Sequence, residues 1–310
     1  MSLLASIFQI AGIILLAIGS LSCILNLIVF TSKSLRKNPC AMCFVAISTV
    51  NLLYLYLGLL PTILQSGFSM NPGISNIVFC RSFYYVNFIL SILGPTYLIV
   101  TSIDRTLATS RNAGTRKRST RRLALLCLIS SSLFWALFQI HIFIYVDIIQ
   151  IAPTYFLCYY QAGLYTAFIT YYSLFIVGIT PPVLMGIFGF LTLRNIRQVS
   201  QAIHRSHAST VETITAGRSH VIHSKDRQLI RIVFMEIMIY LISRFPSTIF
   251  LIYQQITQNE TKSDAQISIE QFVANITYFT GFIDSSISCY ANILISKNFR
   301  EELKRIFRCR

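Results

Sequence analysis

Charge is what this sequence has least of. Asp, Glu, Lys and Arg make up 12% of its 310 residues, while 54% are hydrophobic. An ordinary soluble domain carries about a quarter charged residues, so too little charge is present to cover a soluble globule of this size. Short segments of alternating apolar and polar residues are missing as well, which argues against a membrane β-barrel. There is no internal repeat with paired Gly/Pro-broken helices, as a secondary transporter would have. Nucleophile–base pairs and His/Asp metal sets are absent from the apolar runs, where His141 is the lone histidine, and an intramembrane enzyme is disfavoured accordingly. His220 and His223 have no acid or thiol partner and make a poor metal site. Neither metal nor cofactor is expected.

What is present is a set of seven long apolar blocks, roughly 5–31, 41–66, 82–103, 123–146, 163–192, 229–253 and 271–295. Each is about long enough, at 1.5 Å per residue, to cross a hydrocarbon core of ~30 Å. Lipid offers the backbone no hydrogen-bond partner and a helix satisfies its own, so the expected fold is all-α, a seven-transmembrane helix bundle. The net charge of +15 is distributed by loop. Basic residues crowd the first loop (Lys33, Arg36, Lys37), the third (Arg111 to Arg122), the fifth (Arg194 to Arg227) and the tail (Lys297 to Arg310). The other loops hold little beyond Arg81 and Lys262, beside acidic Asp147, Glu260, Asp264 and Glu270. Basic loops stay in the cytoplasm, which places the N-terminus outside, the C-terminus inside and the multi-pass chain in the plasma membrane. A nucleic-acid partner would need the charge on one groove-following face, and none is expected. No cleavable signal precedes the first span, which is expected to act as signal anchor.

Of eight cysteines, Cys80 and Cys158 alone face the oxidising side in this topology. Two thiols there suggest one disulfide, holding the loop between spans 4 and 5 over the bundle mouth; the other reading is two unpaired thiols. Cys80 stands 25 residues before Arg105, about 37 Å of helix. Asp104 and Arg105 therefore lie at the cytoplasmic end of span 3. Alone, such a pair reads as well as the flank of a stop-transfer segment.

The ordered set of motifs extends along the chain. Asn26 lies in "GSLSCILNLIVF", Asp104 and Arg105 in "SIDRTLA", and Cys80 and Cys158 at their two ends of the outer face. Trp135 is the single tryptophan, Pro182 and Pro246 stand in spans 5 and 6, and "SKNFREELKRIF" follows span 7. In this order and spacing the chain resembles the rhodopsin-like (class A) G-protein-coupled receptors, over essentially its whole length. The resemblance implies an extracellular ligand, a heterotrimeric G protein as partner and activation by outward movement of helix 6. It also implies that an acid near the base of helix 6 restrains Arg105. Asp226, 20 residues before Pro246, stands at that place; the other reading is a solvated loop residue between Lys225 and Arg227. The alternative for the whole chain is a transporter or channel without G-protein coupling.

Departures from the family pattern are informative. Thr106 replaces the motif tyrosine, Asn51 the helix-2 aspartate, and "SCYAN" (Ser288 to Asn292) the Asn-Pro-x-x-Tyr motif. In "YLISRFP", Arg244 occupies the switch tryptophan's place. A charge near mid-bilayer costs a few kcal/mol and needs a partner, and Asp284 of span 7 falls at nearly the same depth. Arg244–Asp284 is expected to be a buried ion pair; the second reading is that Arg244 grips an acidic ligand group. Asn87 stands where amine receptors carry an aspartate, which disfavours a charged monoamine. The seventh span has no lysine for a retinal Schiff base. The expected pocket is aromatic and weakly polar, from Tyr84, Asn87, Phe88, Arg244 and Tyr278, and suits a neuropeptide or small organic chemosignal. Any one of these aromatics reads equally as ordinary packing.

Residues 1–296 are expected to form the receptor domain and 297–310 a cytoplasmic amphipathic eighth helix and tail. Phe299, Leu303, Ile306 and Phe307 on one side and charge on the other would lay that helix on membrane lipid. Cys309 is a candidate palmitoylation site or a plain thiol, and Asn259 heads a candidate glycosylation sequon.

Overall fold

Apolar blocks can send their backbone polar groups only into their own helices, and helices are what they form. The computed structural model describes residues 3–308 except 34, 71–72, 74, 153–154, 162, 208–215, 258–259 and 261, with side chains described outside 151–155, 157, 199–227 and 264. Helices α1 (Leu3–Phe30), α2 (Pro39–Phe68), α3 (Ile77–Ala108), α4 (Arg121–Tyr145) and α5 (Leu164–Gln198, continuing within Thr180–His207) are each long and apolar enough to cross a membrane. The bundle is completed by α6 (Ala216–Ile256) and a two-part seventh helix, α7a (Asp264–Thr280) and α7b (Ile283–Ile295). A short amphipathic α8 (Lys297–Arg308) follows.

Polar side chains start the helices where the apolar runs begin. Asn38 accepts from Cys40 N at 2.9 Å just before Pro39, and Asn76 accepts from Val78 N and Phe79 N at 2.8 and 3.2 Å. Thr120 caps α4 through Leu123 N, and Ser263 caps α7a through Gln266 N. Each cap satisfies helix-end donors that lipid or protein would leave unpaired. Widened π-helical turns occupy Leu55–Leu59 in α2 and Ser173–Ile179 in α5. They stand just before Pro61 and before Pro181–Pro182, where a missing N–H and a ring clash disturb regular α-helical bonding.

The core runs down the bundle axis. Near the basic-loop end, Phe44 stacks on Phe30 at 4.8 Å and Phe299 of α8 meets Phe30 edge-on at 5.6 Å. Leu303 and Ile306 also pack on this core while Phe307 is exposed, so α8 is fastened by its apolar face. Trp135 donates to Thr96 Oγ1 at 3.1 Å and Tyr97 bonds Ser132 at 2.6 Å, joining α4 to α3. Outward-facing Leu126, Leu133, Leu137, Phe190, Ile242 and Phe245 are exposed. Such a belt would be a liability in water and is the ordinary surface of a helix bundle in lipid.

Among the described residues the bundle is interrupted by one element that the all-α expectation leaves out. Val146–Ala152 (β1) and Tyr155–Tyr160 (β2) pair antiparallel, with Cys158 opposite Ile148. Both strands are rich in β-branched and aromatic residues, which favour a pleated surface.

Candidate functional site

The hairpin is held across one mouth of the bundle. Cys80, in the first turn of α3, forms a disulfide with Cys158, with Cα atoms 5.8 Å apart. Arg81 Nε donates to Val146 O at 2.9 Å, and Tyr84 Oη donates to Cys158 O at 3.0 Å. Beneath the strands, Tyr160 meets Tyr84 and Phe88 edge-on at 5.1 and 6.0 Å, and Phe88 lies 6.3 Å from Tyr172 of α5. Burial pushes the Tyr160 phenol well above the ordinary range, with Tyr84, Tyr159, Tyr278 and Tyr165 around it adding to the shift. Tyr160 is thus the hub of the aromatic roof. Its residue type alone did not single it out, because the loop offers three tyrosines, and the strand register turns Tyr160 inward while Tyr159 is exposed.

Asn87 takes a different place from its aromatic neighbours. It is 8% exposed, and its Nδ2 donates to Phe83 O at 2.9 Å and to Leu57 O at 3.2 Å in the widened turn of α2. A Cβ on Gly58 would come within 2.5 Å of Asn87 Oδ1, so the glycine is what lets this amide reach α2. Tyr278 sits on α7a, edge-on to Phe282 at 5.3 Å, which in turn stacks on Tyr54 at 4.6 Å.

Deeper in the bundle, Arg244 of α6 reaches the break in the seventh helix. Its Nη2 lies 3.9 Å from Asp284 Oδ1, with both side chains about 15% exposed or less. The guanidinium also sits 5.9 Å from the Tyr54 ring and 6.0 Å from the Tyr240 ring, within the range where an aromatic face stabilises a cation. A Cβ on Gly281 would meet Arg244 Nη1 at 2.9 Å and Tyr278 O at 3.1 Å. The glycine between α7a and α7b therefore makes room for the cation, and Asp284 stands in the first turn of α7b, where the helix dipole favours an anion. Arg244 Nε and Asp284 Oδ1 are buried with no hydrogen-bond partner. The pair is a Coulombic contact with hydrogen-bonding capacity to spare, a donor on Arg244 that suits an acidic group and an acceptor on Asp284 that suits a donor.

Below this pair lies a polar cluster that charge counting along the sequence passes over. Glu236 of α6 is 4% exposed. Ser288 Oγ donates to its Oε1 in a short hydrogen bond, and Asn26 Nδ2 donates to Ser288 Oγ at 3.0 Å. Asn292 Nδ2 is shared between Glu236 Oε1 and Asn26 Oδ1, at 3.3 Å each. Ser285 Oγ donates to Asn51 Oδ1 at 3.3 Å, and Cys289 N donates to Ser22 Oγ at 3.0 Å. Helices α1, α2, α6 and α7b are thereby joined through side chains, with the serine and asparagine of "SCYAN" facing inward. The available clue was the placement of Glu236 eight residues before Arg244, on the same helical face.

At the basic-loop end, Asp104 and Arg105 are 6% and 3% exposed. Arg105 Nη2 lies 2.6 Å from Asp104 Oδ2, and Nε donates to the same oxygen at 3.2 Å. Asn38 Oδ1 accepts from Arg105 Nη2 at 3.3 Å, while Ser119 Oγ donates to Asp104 Oδ1 at 2.6 Å. Thr106 ties α3 to α5 by bonding Thr192 Oγ1 at 2.9 Å and Phe188 O at 3.0 Å. Asp226 lies within α6, but its side chain falls outside the described residues, as do Asn259, Cys309 and the side chains of His220 and His223. Pro182 follows the widened turn of α5 and Pro246 stands inside α6, two residues beyond Arg244.

The model of the 7 transmembrane receptor (rhodopsin family) matches residues 22–288, from the α1 polar face to Ser288. No individual curated protein matches the chain. A seven-helix bundle with a disulfide-pinned loop at one mouth and an Asp-Arg pair at the other is what that match covers, and the chain belongs to the rhodopsin family of seven-transmembrane receptors.

Proposed function

We propose that the chain is a plasma-membrane receptor that takes an extracellular ligand, a neuropeptide or small chemosignal, beneath the 146–160 hairpin and activates a heterotrimeric G protein. Its N-terminus lies outside and its basic loops and C-terminus inside, as the positive-inside rule requires. Residues 1–296 form the receptor unit, and 297–310 lie on the inner lipid surface through the apolar face of α8. Reaction chemistry is not part of this function.

The observation that carries the proposal is the Arg244–Asp284 contact at the broken seventh helix, 3.9 Å long and with Arg244 Nε and Asp284 Oδ1 lacking partners. An acidic ligand group accepts charge-assisted hydrogen bonds from the Arg244 guanidinium, which stays beside Asp284 so that neither buried charge is stranded. Driving a two-state helix 6 from 1:99 to 99:1 needs a preference of about 5.5 kcal/mol. Two or three charge-assisted bonds formed only in the open state, at roughly 1.5–3 kcal/mol each, supply that. Opening moves α6 outward, separates Glu236 from α7b, and frees Arg105 from Asp104 and Asp226 to meet the G protein.

The test is a cell assay of G-protein activation with pools of short peptides and organic acids, each run beside its amide counterpart. Acids that activate wild type should lose most of their potency as amides and on Arg244→Gln. Equal potency of acids and amides, or no change on Arg244→Gln, contradicts the acidic-ligand part of the proposal.

A further inference from the structure

The Asp104 carboxylate has two partners, and the second lies on an exposed basic loop. Arg105 takes Oδ2, and Ser119 Oγ donates to Oδ1 at 2.6 Å. Ser119 is half-buried in the three-residue connection between the single turn Ala113–Lys117 and α4. It is preceded by Arg116, Lys117 and Arg118 and followed by Thr120, Arg121 and Arg122. Those five basic side chains are exposed, and Thr120 is extended at φ −126°, ψ 152°. We propose that Ser119 is a phosphorylation site for an arginine-directed serine/threonine kinase, and that phosphate undocks this loop from the Asp104–Arg105 pair. The proposal rests on the inward placement of the loop given above.

The chemistry of recognition follows from the neighbours. Arg116 and Lys117, three and two residues before the Ser119 hydroxyl, fit a kinase groove lined with carboxylates through charge-assisted hydrogen bonds, bidentate for the arginine. The five-residue helix that carries two of the cations is too short to be stable alone, so it can unwind into an extended substrate. In the transfer, Ser119 Oγ attacks the γ-phosphorus of ATP and the bond from that phosphorus to the β,γ-bridging oxygen breaks. ADP leaves, and the hydroxyl proton passes to a kinase carboxylate. The product has lost the proton that Ser119 donates to Asp104. It also carries a charge of about −1.5 to −2, which repels the Asp104 carboxylate at the former hydrogen-bond distance. The flanking arginines and the α4 N-terminus offer the phosphate a place away from α3. Docking and phosphorylation are therefore mutually exclusive: the docked hydroxyl is shielded, and the phosphorylated loop cannot return.

The experiment uses the purified full-length chain in detergent, where both faces are accessible, with the catalytic subunit of an arginine-directed kinase and ATP. Mass spectrometry distinguishes Ser119 from Thr120. Phosphate is expected on Ser119 of wild type, absent at that position in Ser119→Ala, and several-fold slower with Arg116→Ala plus Arg118→Ala. Asp104→Ala, which removes the dock, should speed modification several-fold, and amide exchange across 110–120 should quicken after phosphorylation of wild type. Absence of phosphate at Ser119 overturns the proposal. So does phosphate there with no rate change in Asp104→Ala and no change in exchange. Modification in detergent but none in intact cells expressing the kinase overturns the inward placement and with it the regulatory role. If all of these results are as expected while G-protein output is absent, the receptor proposal fails and the modification site stands.

Discussion

Glu236 accepts from Ser288 and Asn292 of α7b and is reached through Ser288 by Asn26 of α1. Removing its carboxyl takes the acceptor from two buried donors of α7b, at roughly 1–3 kcal/mol for each one stranded. Glu236→Ala should therefore lower the melting temperature of the purified chain clearly, and Glu236→Gln, which keeps an acceptor oxygen, should lower it less. Equal losses in the two variants would mean that packing rather than the hydrogen bonds matters at this position. At the connection between α6 and α7a, a hydrogen bond from Lys262 Nζ at 2.7 Å holds the Glu270 carboxyl below its ordinary value of 4.5, with Tyr253 and Gln266 also donating. A depressed carboxylate contributes stability that is present above its unfolded pKa and lost as pH falls through its folded one. Amide exchange at the start of α7a should stay slow at neutral pH and quicken below about pH 4, and Lys262→Ala, which removes the largest of the three contacts, should weaken that pH dependence.

How far single residues can be read from spacing depends on what spacing encodes. Depth along a helix follows from 1.5 Å per residue, which is why Arg244 and Asp284 were expected at one level and why the structure brings them within 3.9 Å. Rotation toward a particular neighbour does not follow from depth. Asn87 has the depth of a ligand-facing residue, yet its amide bonds Leu57 O because Gly58 leaves room for it. Glu236 had the depth to reach helix 7 but no partner of opposite charge to advertise it. Its partners are a serine and an asparagine, Ser288 and Asn292, whose residue types carry no charge signal.

Among elements, the breaks are more informative than the regular stretches. Continuous apolar runs with basic flanks made seven helices legible from composition. The hairpin at 146–160 was not, because its short strands lie in the loop between the fourth and fifth apolar blocks and their pairing is visible only once Cys158 is tied to Cys80. The interruption of the seventh helix at Gly281–Phe282 was equally hidden, since neither residue is a helix stop of the strength of proline. That interruption is where Arg244 lies against the backbone. Gly281→Val places side-chain carbons where Arg244 Nη1 would be 2.9 Å from the Cβ alone, so the guanidinium must leave Asp284 or the helix must shift. Such overpacking typically costs about 1–3 kcal/mol. The variant should melt at lower temperature and lose response to acidic ligands, whereas Gly186→Ala, with no atom within 4 Å of the added Cβ, should do neither. Similar behaviour of the two variants would remove the special role of the break.

At the scale of the whole molecule, three polar layers are stacked along one apolar bundle. The Arg244–Asp284 pair lies against the aromatic floor, the Glu236 cluster lies below it, and the Asp104–Arg105 pair closes the far end. The upper two layers join α6 to α7, so outward movement of α6 has to part the Glu236–Ser288 contact and alter the Arg244 contact together. On the receptor proposal these two layers form one bistable unit rather than two independent locks. The measurement that bears most directly on that unit is basal G-protein activation in cells, at matched surface expression, for wild type, Asp226→Ala and Arg105→Ala. A receptor of this design gives raised basal output in Asp226→Ala and none in Arg105→Ala. Output that is the same in all three, across the classes of G protein, would contradict it and leave Arg105 as a charge at the membrane flank.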